Sequence, residues 1–434
     1  MFSANPWIPL TTIVASTSVI IVLFGRFKQR NKNIQVRDAP NVPPMPTRPR
    51  PMDICRTVIR ALPVSVTLQN TLPATVSRIL PFGKTQIAFD IDNPLTTRDR
   101  RYRDQFNSDL LGLMNLTEEE YMDLSIFIGA QAVDLYQYLS MPVWGGDCEV
   151  LEVNFTTLVQ AITMKIIMWL FLDMKDTGLE RGTTIALVVE LNRTIKSAES
   201  IETLTPLSTN HHLKQALTDA LDLEFTFLDP KANPFNWILP AYGPLWLAIM
   251  ATFIEATSNR SLFQAAWAET LADYSQAPTF DQFNAPHVQS EDTASTIVRE
   301  SLRLHPPVRE IRRTYKLDQH DTKMTDVHAN IEDRLTSAST FGEDAATFNP
   351  HRTRNVTGEQ ANTFLLSFGG FPYRCPASHF APRLIGLTVG CLIRASASAY
   401  QETGQRWQGR VEYTLDGNIN MRNMLENGLF MTWT

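Results

Sequence analysis

Cysteine is scarce in this chain, and the few cysteines form no recognisable framework. Four occur in 434 residues, namely Cys55, Cys148, Cys375 and Cys391, with no CxxC pair and no Cys/His spacing typical of zinc. The sequence therefore excludes a disulfide scaffold and favours a reducing compartment. Internal repeats and low-complexity tracts are also absent, which excludes solenoids and repeat arrays.

An excess of charge of one sign is lacking as well. With 39 basic and 45 acidic residues the formal net charge is −6, so nucleic acid is not an expected partner. Hydrophobic residues make up 44% of the chain, enough for one large core. No linker-like break interrupts residues 52–434, and we predict that they form one domain.

The first 51 residues differ from the rest. Trp7 to Phe24 is uncharged and mostly apolar, and a basic cluster from Arg26 to Arg37 follows it. We interpret residues 1–25 as a single-pass membrane anchor and residues 26–51 as a basic, proline-rich linker. By the positive-inside rule the body of the protein then stays in the cytosol. The alternative is that the apolar run is a buried helix of the domain.

A short loop near the end of the chain holds the most distinctive cysteine. Residues 368–377 are FGGFPYRCPA, with Cys375 eighth, and a predicted helix follows. The glycines let the backbone pass close to a flat group. A thiolate at this place suits haem iron, because backbone N–H groups and a helix N-terminus stabilise the anionic sulfur. Taken alone, the loop also fits an ordinary buried thiol.

Two motifs precede this loop in a definite order. Glu300 and Arg303 stand at i and i+3 of an ExxR motif, so both lie on one helix face and can pair. Arg352 ends an FxPxR motif that begins at Phe348. An ExxR alone is common by chance, whereas ExxR, FxPxR and a Cys loop in this order are specific.

The ordered trio resembles that of cytochrome P450, most closely the membrane-anchored fungal branch, over residues 295–395. The resemblance implies a mainly α fold with small β-sheets, with haem b between a long distal helix and the proximal Cys loop. Cys375 would be the axial ligand of the haem iron, and Glu300, Arg303 and Arg352 would form a structural charge network. NADPH-cytochrome P450 reductase, a hydrophobic small-molecule substrate and the endoplasmic-reticulum membrane would be the partners, with the catalytic domain in the cytosol.

The Cys loop departs from the family pattern. Phe371 replaces a glycine, and Tyr373 stands where an arginine or histidine reaches a haem propionate, with Arg374 one residue along. No clear Trp-x-x-x-Arg supplies a second propionate contact. The arginines after the ExxR helix are possible substitutes, or else solvated strand residues; they are Arg309, Arg312 and Arg313. The predicted cofactor-binding residues are Cys375, Phe368, Tyr373, Arg374 and Arg313.

The predicted distal helix departs further. The pattern predicts one helix from Tyr242 to Tyr274, with Gly243-Pro244 at its start. The family's neighbouring acid and threonine are absent, because Glu255 and Thr257 diverge by about 200° on a helix. Glu255 or Thr252 could each deliver protons singly, or could be packing residues.

Three functions are compatible with these residues. The leading hypothesis is a monooxygenase of fungal secondary metabolism, which oxidises a terpenoid-like or polyketide-like compound with O₂ and electrons from the reductase. The weakened proton relay leaves a redox-neutral rearrangement, dehydration or cyclisation open. A degenerate, non-catalytic P450-like protein is the third possibility.

Overall fold

The computed structural model describes most of the proposed domain. The predicted anchor (residues 1–25) and linker (residues 26–51) lie outside the described residues. The described residues are 58–59, 72–145, 148–175, 180–199, 204–222, 229–257, 262–316, 324–354, 356–403 and 430–433.

The described part of the chain is mainly helical with two small antiparallel sheets, so the predicted fold class is confirmed. Short 3₁₀ segments connect several elements, among them Leu365–Phe368 and Pro376–Ser378 on the two sides of the Cys loop. The helices and strands are α1 (Ala74–Ile79), α2 (Gly83–Phe89), α3 (Arg100–Met114), α4 (Glu118–Leu139), β1 (Ser140–Gly145), β2 (Cys148–Asn154), α5 (Phe155–Phe171), α6 (Arg181–Glu199), α7 (His211–Leu221), α8 (Phe235–Thr257), α9 (Leu262–Gln276), α10 (Phe280–Asn284), α11 (Ala294–Leu304), β3 (Glu310–Lys316), β4 (Met324–Asn330), α12 (Ile331–Leu335), α13 (Ala338–Phe341), α14 (Gly358–Phe364), α15 (Ala381–Thr403) and β5 (Phe430–Trp433).

Side-chain caps fix where several helices begin. Thr117 and Glu120 form a reciprocal capping box at the start of α4, and Thr293 and Thr296 do the same for α11. Each box satisfies backbone N–H groups that the first helical turn leaves without an acceptor. The ExxR helix α11 therefore has a well-defined start, which sets the direction of its charged side chains.

Five long helices build the core. Helix α15 packs against α4, α8 and α9, and α8 also packs against α5 and α11. Helix α5 is buried on nearly all sides, which is typical of a helix inside a large domain. The ExxR helix is thus held against the longest core helices.

The two sheets lie at different places along the chain. Strand β2 pairs antiparallel with β1 and β5, so the end of the chain closes on its middle. Strands β3 and β4 form a separate pair in which Arg313 stands opposite Val327. Helix α1 packs against β3, which places the start of the described domain beside the residues that follow the ExxR helix.

Helix α8 does not start where the sequence predicted. It begins at Phe235 and contains Pro240 and Pro244, so the prediction that Gly243-Pro244 marks its start is wrong. Proline lacks the N–H that the carbonyl four residues earlier would accept. For Pro240 that carbonyl belongs to Asn236, and it accepts instead from Asn93 Nδ2 at 3.4 Å. Burial of the helix outweighs the cost of the prolines.

Helix α8 is also the one described helix that is long and apolar enough to cross a membrane. Its side chains are mostly buried between other helices, with Tyr242, Ile249 and Ala256 fully enclosed. A core helix of a large domain has the same composition, and the packing of α8 assigns it to the core.

Close packing between α9 and α15 makes a testable prediction. A Cβ atom on Gly390 would lie 2.0 Å from the Leu271 carbonyl oxygen and 2.7 Å from Ser275 Cβ. Backbone cannot yield easily, so we expect Gly390→Ala to lower the free energy of unfolding by about 3 kcal/mol. Gly129 in α4 has open space at its Cβ position. Gly129→Ala should therefore raise stability by about 0.5–1 kcal/mol through helix propensity. Urea unfolding of both variants checks the opposite signs, and a loss at both positions would contradict the packing.

Candidate functional site

The Cys loop is a compact turn closed by backbone hydrogen bonds. Cys375 N–H donates to Phe368 O at 2.8 Å, and Tyr373 N–H donates to Gly370 O at 2.9 Å. Gly369 has φ +76°, a conformation that L side chains avoid. Phe371 is not among the positive-φ residues and is 79% exposed, so the turn accommodates a phenylalanine where the family pattern has glycine.

The Cys375 side chain lies in a recess. Solvent reaches the side chain, yet surrounding protein atoms raise the pKa of the thiol by desolvation. The Ala377 N–H and the Arg374 guanidinium act in the opposite direction and favour the thiolate. Because α15 begins only at Ala381, the Ala377 N–H is the backbone donor to the sulfur that the structure shows.

The other described free cysteine has a different environment. Cys391 is buried in α15, and its sulfur lies 3.5 Å from Ser125 Oγ. Burial raises the pKa of its thiol as well. Cys391 is a packed core residue, which leaves Cys375 as the accessible thiol of the two.

Three arginines surround Tyr373. The guanidinium carbon of Arg78 lies 5.1 Å from the centre of the Tyr373 ring, and those of Arg103 and Arg313 lie 5.9 Å from it. They come from α1, α3 and β3, and α3 also packs against the 3₁₀ segment that follows Cys375. The structure therefore gathers positive charge from three distant segments beside the Cys loop.

The cluster lacks full hydrogen bonding. Arg78 is 5% exposed and Arg313 is 6% exposed. In the described part of the protein, Arg78 Nε and Nη2 and Arg313 Nε have no acceptor, nor does Arg374 Nε on the loop itself. Desolvation, with repulsion from Arg103 and Arg313, lowers the pKa of Arg78 to about 10, although Tyr373 opposes the shift. Buried cations with unsatisfied N–H groups suit an anionic ligand.

The neighbouring arginines do not take part in this cluster. Arg309 pairs with Glu332 at 3.6 Å, and Arg312 pairs with Glu310 at 3.5 Å, both on the protein surface. Of the three predicted substitutes, the structure brings only Arg313 to the loop. Phe368, also predicted to contact the cofactor, is half-buried and packs against the main core.

The ExxR pair is buried and bidentate. Arg303 Nε and Nη2 donate to the two carboxylate oxygens of Glu300 at 2.8 Å each, and both side chains are 0% exposed. Arg303 Nη1 donates to the Leu335 and Ala345 carbonyl oxygens at 2.7 and 2.6 Å. The pair thus ties α11 to the segments that lead into the FxPxR motif.

Arg352 completes the network from the FxPxR motif. Its Nε donates to Glu300 Oε1 at 3.3 Å, and its Nη2 donates to Asp344 Oδ2 at 2.8 Å. Hydrogen bonding to Arg352 holds the pKa of the exposed Asp344 below its ordinary value. Glu300 also accepts from Asn349 N–H at 3.1 Å. One buried carboxylate therefore orients both motifs that precede the Cys loop.

The two candidates for proton delivery are both bonded to the ExxR region. Thr252 Oγ1 lies 2.8 Å from Ala248 O and 2.9 Å from Ser301 Oγ on α11. Glu255 Oε1 lies 2.7 Å from Nε2 of His305, just after α11. These contacts join α8 to α11, and a role of either residue in proton delivery stays a prediction.

The more accessible strip of α8 carries no polar side chain. Between Trp237 and Leu247 the partly exposed residues are apolar, proline or glycine. The Tyr242 hydroxyl, on a buried face, lies 3.2 Å from Asn192 Oδ1. This strip offers an apolar wall and no acid or hydroxyl.

Comparison with known proteins identifies the fold. No protein-family model matches the sequence, and no curated protein matches it. The structure is similar to the crystal structure of CYP175A1 from Thermus thermophilus, with 14% sequence identity, a TM-score of 0.50, and coverage of 83% of this chain and 84% of that chain. It is also similar to a 6-coordinated cytochrome P450 from another strain of Thermus thermophilus, with 11% identity, a TM-score of 0.45, and coverage of 74% and 78%.

The first likeness establishes the architecture: this chain has the cytochrome P450 fold. The expected fold is therefore confirmed. At 14% identity the likeness does not extend to the branch of the family, and the fungal membrane-anchored type stays a prediction.

Sequence reasoning missed Arg78 and Arg103. Neither residue stands in a motif, and they are about 300 residues from Tyr373 in the chain. One signal was available for Arg78, a lone arginine among the apolar residues of a short buried helix. No sequence spacing pointed to Arg103.

Proposed function

We propose that this protein is a haem-thiolate oxidoreductase in which Cys375 ligates the iron of haem b. The observation that carries the proposal is the juxtaposition of a recessed, accessible thiol with a cluster of buried, incompletely bonded arginines on one loop. Haem has both matching parts, an iron that takes a thiolate and two carboxylates that take guanidinium groups. The described residues therefore fit the cofactor that the fold suggests.

Each part of the site has a separate task. Cys375 would supply the thiolate, Ala377 N–H would stabilise its charge, and the arginines around Tyr373 would hold the propionates. The Glu300 network fixes the segments from which the loop starts. When bound, haem supplies the chemistry of electron transfer and oxygen activation, and the apolar strip of α8 suits a hydrophobic substrate.

The reaction we propose is oxygen insertion into a hydrophobic secondary metabolite, terpenoid-like or polyketide-like. NADPH-cytochrome P450 reductase would supply the electrons. Residues 1–25, outside the described residues, would anchor the protein in the endoplasmic-reticulum membrane with its catalytic domain in the cytosol. The resemblance of the motifs to the membrane-anchored fungal branch supports these assignments.

A second reaction class has its own supporting observation. The acid and the hydroxyls of α8 that sequence reasoning considered are bonded to Ser301, His305 or helix backbone. A redox-neutral rearrangement or dehydration needs no proton relay for O₂ cleavage. This arrangement therefore favours the redox-neutral class as the alternative function.

Isotope labelling separates the two reactions. The full-length protein with reductase, NADPH and ¹⁸O₂ would be incubated with a panel of terpenes, and product, label and NADPH use would be measured. Oxygen insertion predicts labelled product that depends on NADPH. Unlabelled product formed without NADPH would establish the redox-neutral class instead. No turnover in either condition, together with no haem, would contradict both.

Thr252→Val tests the predicted proton delivery in the same assay. If Thr252 delivers protons, the variant should consume NADPH with less product and more hydrogen peroxide. If the hydroxyl serves only the contact with Ser301, the ratio of product to NADPH should stay unchanged while thermal stability falls.

A further inference from the structure

The arginine cluster beside the Cys loop is electrostatically incomplete. The groups that shift the pKa of Arg78 are Arg103, Tyr373 and Arg313, two cations and a neutral phenol. Asp104 accepts from Arg103 at 3.3 Å, but its side chain is 56% exposed, where solvent screens its charge. Like charges gathered in a desolvated place repel one another unless an anion joins them. The cluster therefore points to an anionic ligand.

The unsatisfied atoms define the chemistry of that ligand. Arg78 Nη1 donates to the Pro94 carbonyl oxygen, whereas Nε and Nη2 have no acceptor among the described residues and form one edge of the guanidinium fork. A carboxylate accepts from such an edge through both oxygens. Arg313 presents a further free Nε, while its Nη1 and Nη2 donate to the Arg312 and Ile59 carbonyls at 2.8 and 3.2 Å. The cluster thus has donors for more than one carboxylate.

Stacking on Tyr373 does not account for the cluster. An aromatic face attracts a cation, and Arg78 lies closest to the ring at 5.1 Å. A ring face accepts no in-plane N–H bond, so the free nitrogens keep the cost of burial without an acceptor. Arg383 shows the simpler case elsewhere: it lies 3.9 Å from the Tyr121 ring and donates to the Pro278 carbonyl at 3.1 Å, with no second arginine of the described residues against that ring.

We propose that Arg78 is a propionate-binding residue of this chain and supplies, from α1, the positive charge that position 373 of the Cys loop lacks. Tyr373 is a positioning residue whose ring aligns Arg78 with Arg103 and Arg313. This inference rests on the proposed haem binding and deepens it. It predicts that a large part of the haem affinity depends on the charge of the propionates.

Haemin and haemin dimethyl ester test the inference directly, because the ester lacks both carboxylate charges. Haem-free full-length protein would be titrated with each, and the ratio of the two dissociation constants is the readout. Since hydrogen bonds to charged groups contribute about 1.5–3 kcal/mol each, the wild type should prefer haemin by at least about a hundredfold. Arg78→Gln should lower this preference by about tenfold or more, mainly by weakening haemin.

Matched variants distinguish charge from folding. Arg78→Lys should keep part of the preference, because it keeps the charge without the fork. Arg383→Gln, which removes a stacked arginine elsewhere, should leave the ratio unchanged. Tyr373→Phe should also leave it unchanged, whereas Tyr373→Leu should lower it.

The possible failures are separable. If Arg78→Gln weakens both porphyrins equally, or the wild type shows no preference for haemin, the inference is wrong while haem binding stands. If the wild type binds neither porphyrin, the proposed function itself fails.

Discussion

Glu300→Gln should lower the free energy of unfolding by about 3–5 kcal/mol, the cost of leaving a buried charge without its partner. Glutamine keeps the shape of the side chain but removes the negative charge that faces Arg303 and Arg352. Both carboxylate oxygens of Glu300 accept hydrogen bonds, and the side chain is fully buried. Urea unfolding measures the loss, and haem content should fall with it, because the network holds the segments before the Cys loop.

Asp344→Asn is the matched control for this prediction. Asp344 also pairs with Arg352, at 2.8 Å, but its side chain is exposed. Solvent screens that pair, so the variant should lose only a small fraction of the stability that Glu300→Gln loses. Equal losses from the two variants would show that burial of Glu300 does not determine the strength of the network.

Cys375→Ala should remove nearly all tightly bound haem while leaving the unfolding midpoint of the haem-free protein almost unchanged. The side chain is exposed, so its removal leaves no cavity in the core. The thiolate is the only bond to iron that we propose for the proximal side, and alanine cannot replace it. Haem stoichiometry after gel filtration, with urea unfolding of the haem-free form, measures both effects.

Cys391→Ala provides the control with the other described free cysteine. Cys391 is 1% exposed and contacts Ser125, so its removal should cost about 1 kcal/mol of stability by leaving a small cavity. Its haem content should equal that of the wild type. The assignment of Cys375 fails if the two variants lose haem to the same extent.

Local patterns in the sequence predicted the parts of the site that short spacing controls. Glu300 and Arg303 lie one helical turn apart, so helix geometry alone brings them together. Arg352 follows a proline that fixes its turn, and its contact with Glu300 was implied by the family resemblance. The mainly α architecture was also predictable, because the motifs resemble those of one known fold.

Long-range convergence was not predictable from the sequence. Arg78, Arg103 and Arg313 approach Tyr373 only because α1, α3 and β3 meet beside the Cys loop. No periodicity in the chain encodes that meeting. The start of α8 was missed for a different reason: prolines normally end helices, but burial and the Asn93 contact keep Pro240 within this one.

The departures of the loop from the family pattern therefore have a structural counterpart. Position 373 lacks a cation, and the structure places three arginines around the tyrosine found there. Position 371 lacks a glycine, and Phe371 projects into solvent. The loop keeps its cysteine in a recess with a backbone donor to the sulfur, which is the feature that haem ligation needs.

The carbon monoxide difference spectrum of the reduced, full-length protein tests the central claim most directly. Coordination by the Cys375 thiolate predicts a Soret band at the position characteristic of thiolate-ligated haem, present in Cys391→Ala and absent in Cys375→Ala. A spectrum typical of histidine ligation, a band that survives in Cys375→Ala, or colourless protein from iron-replete expression would contradict the account.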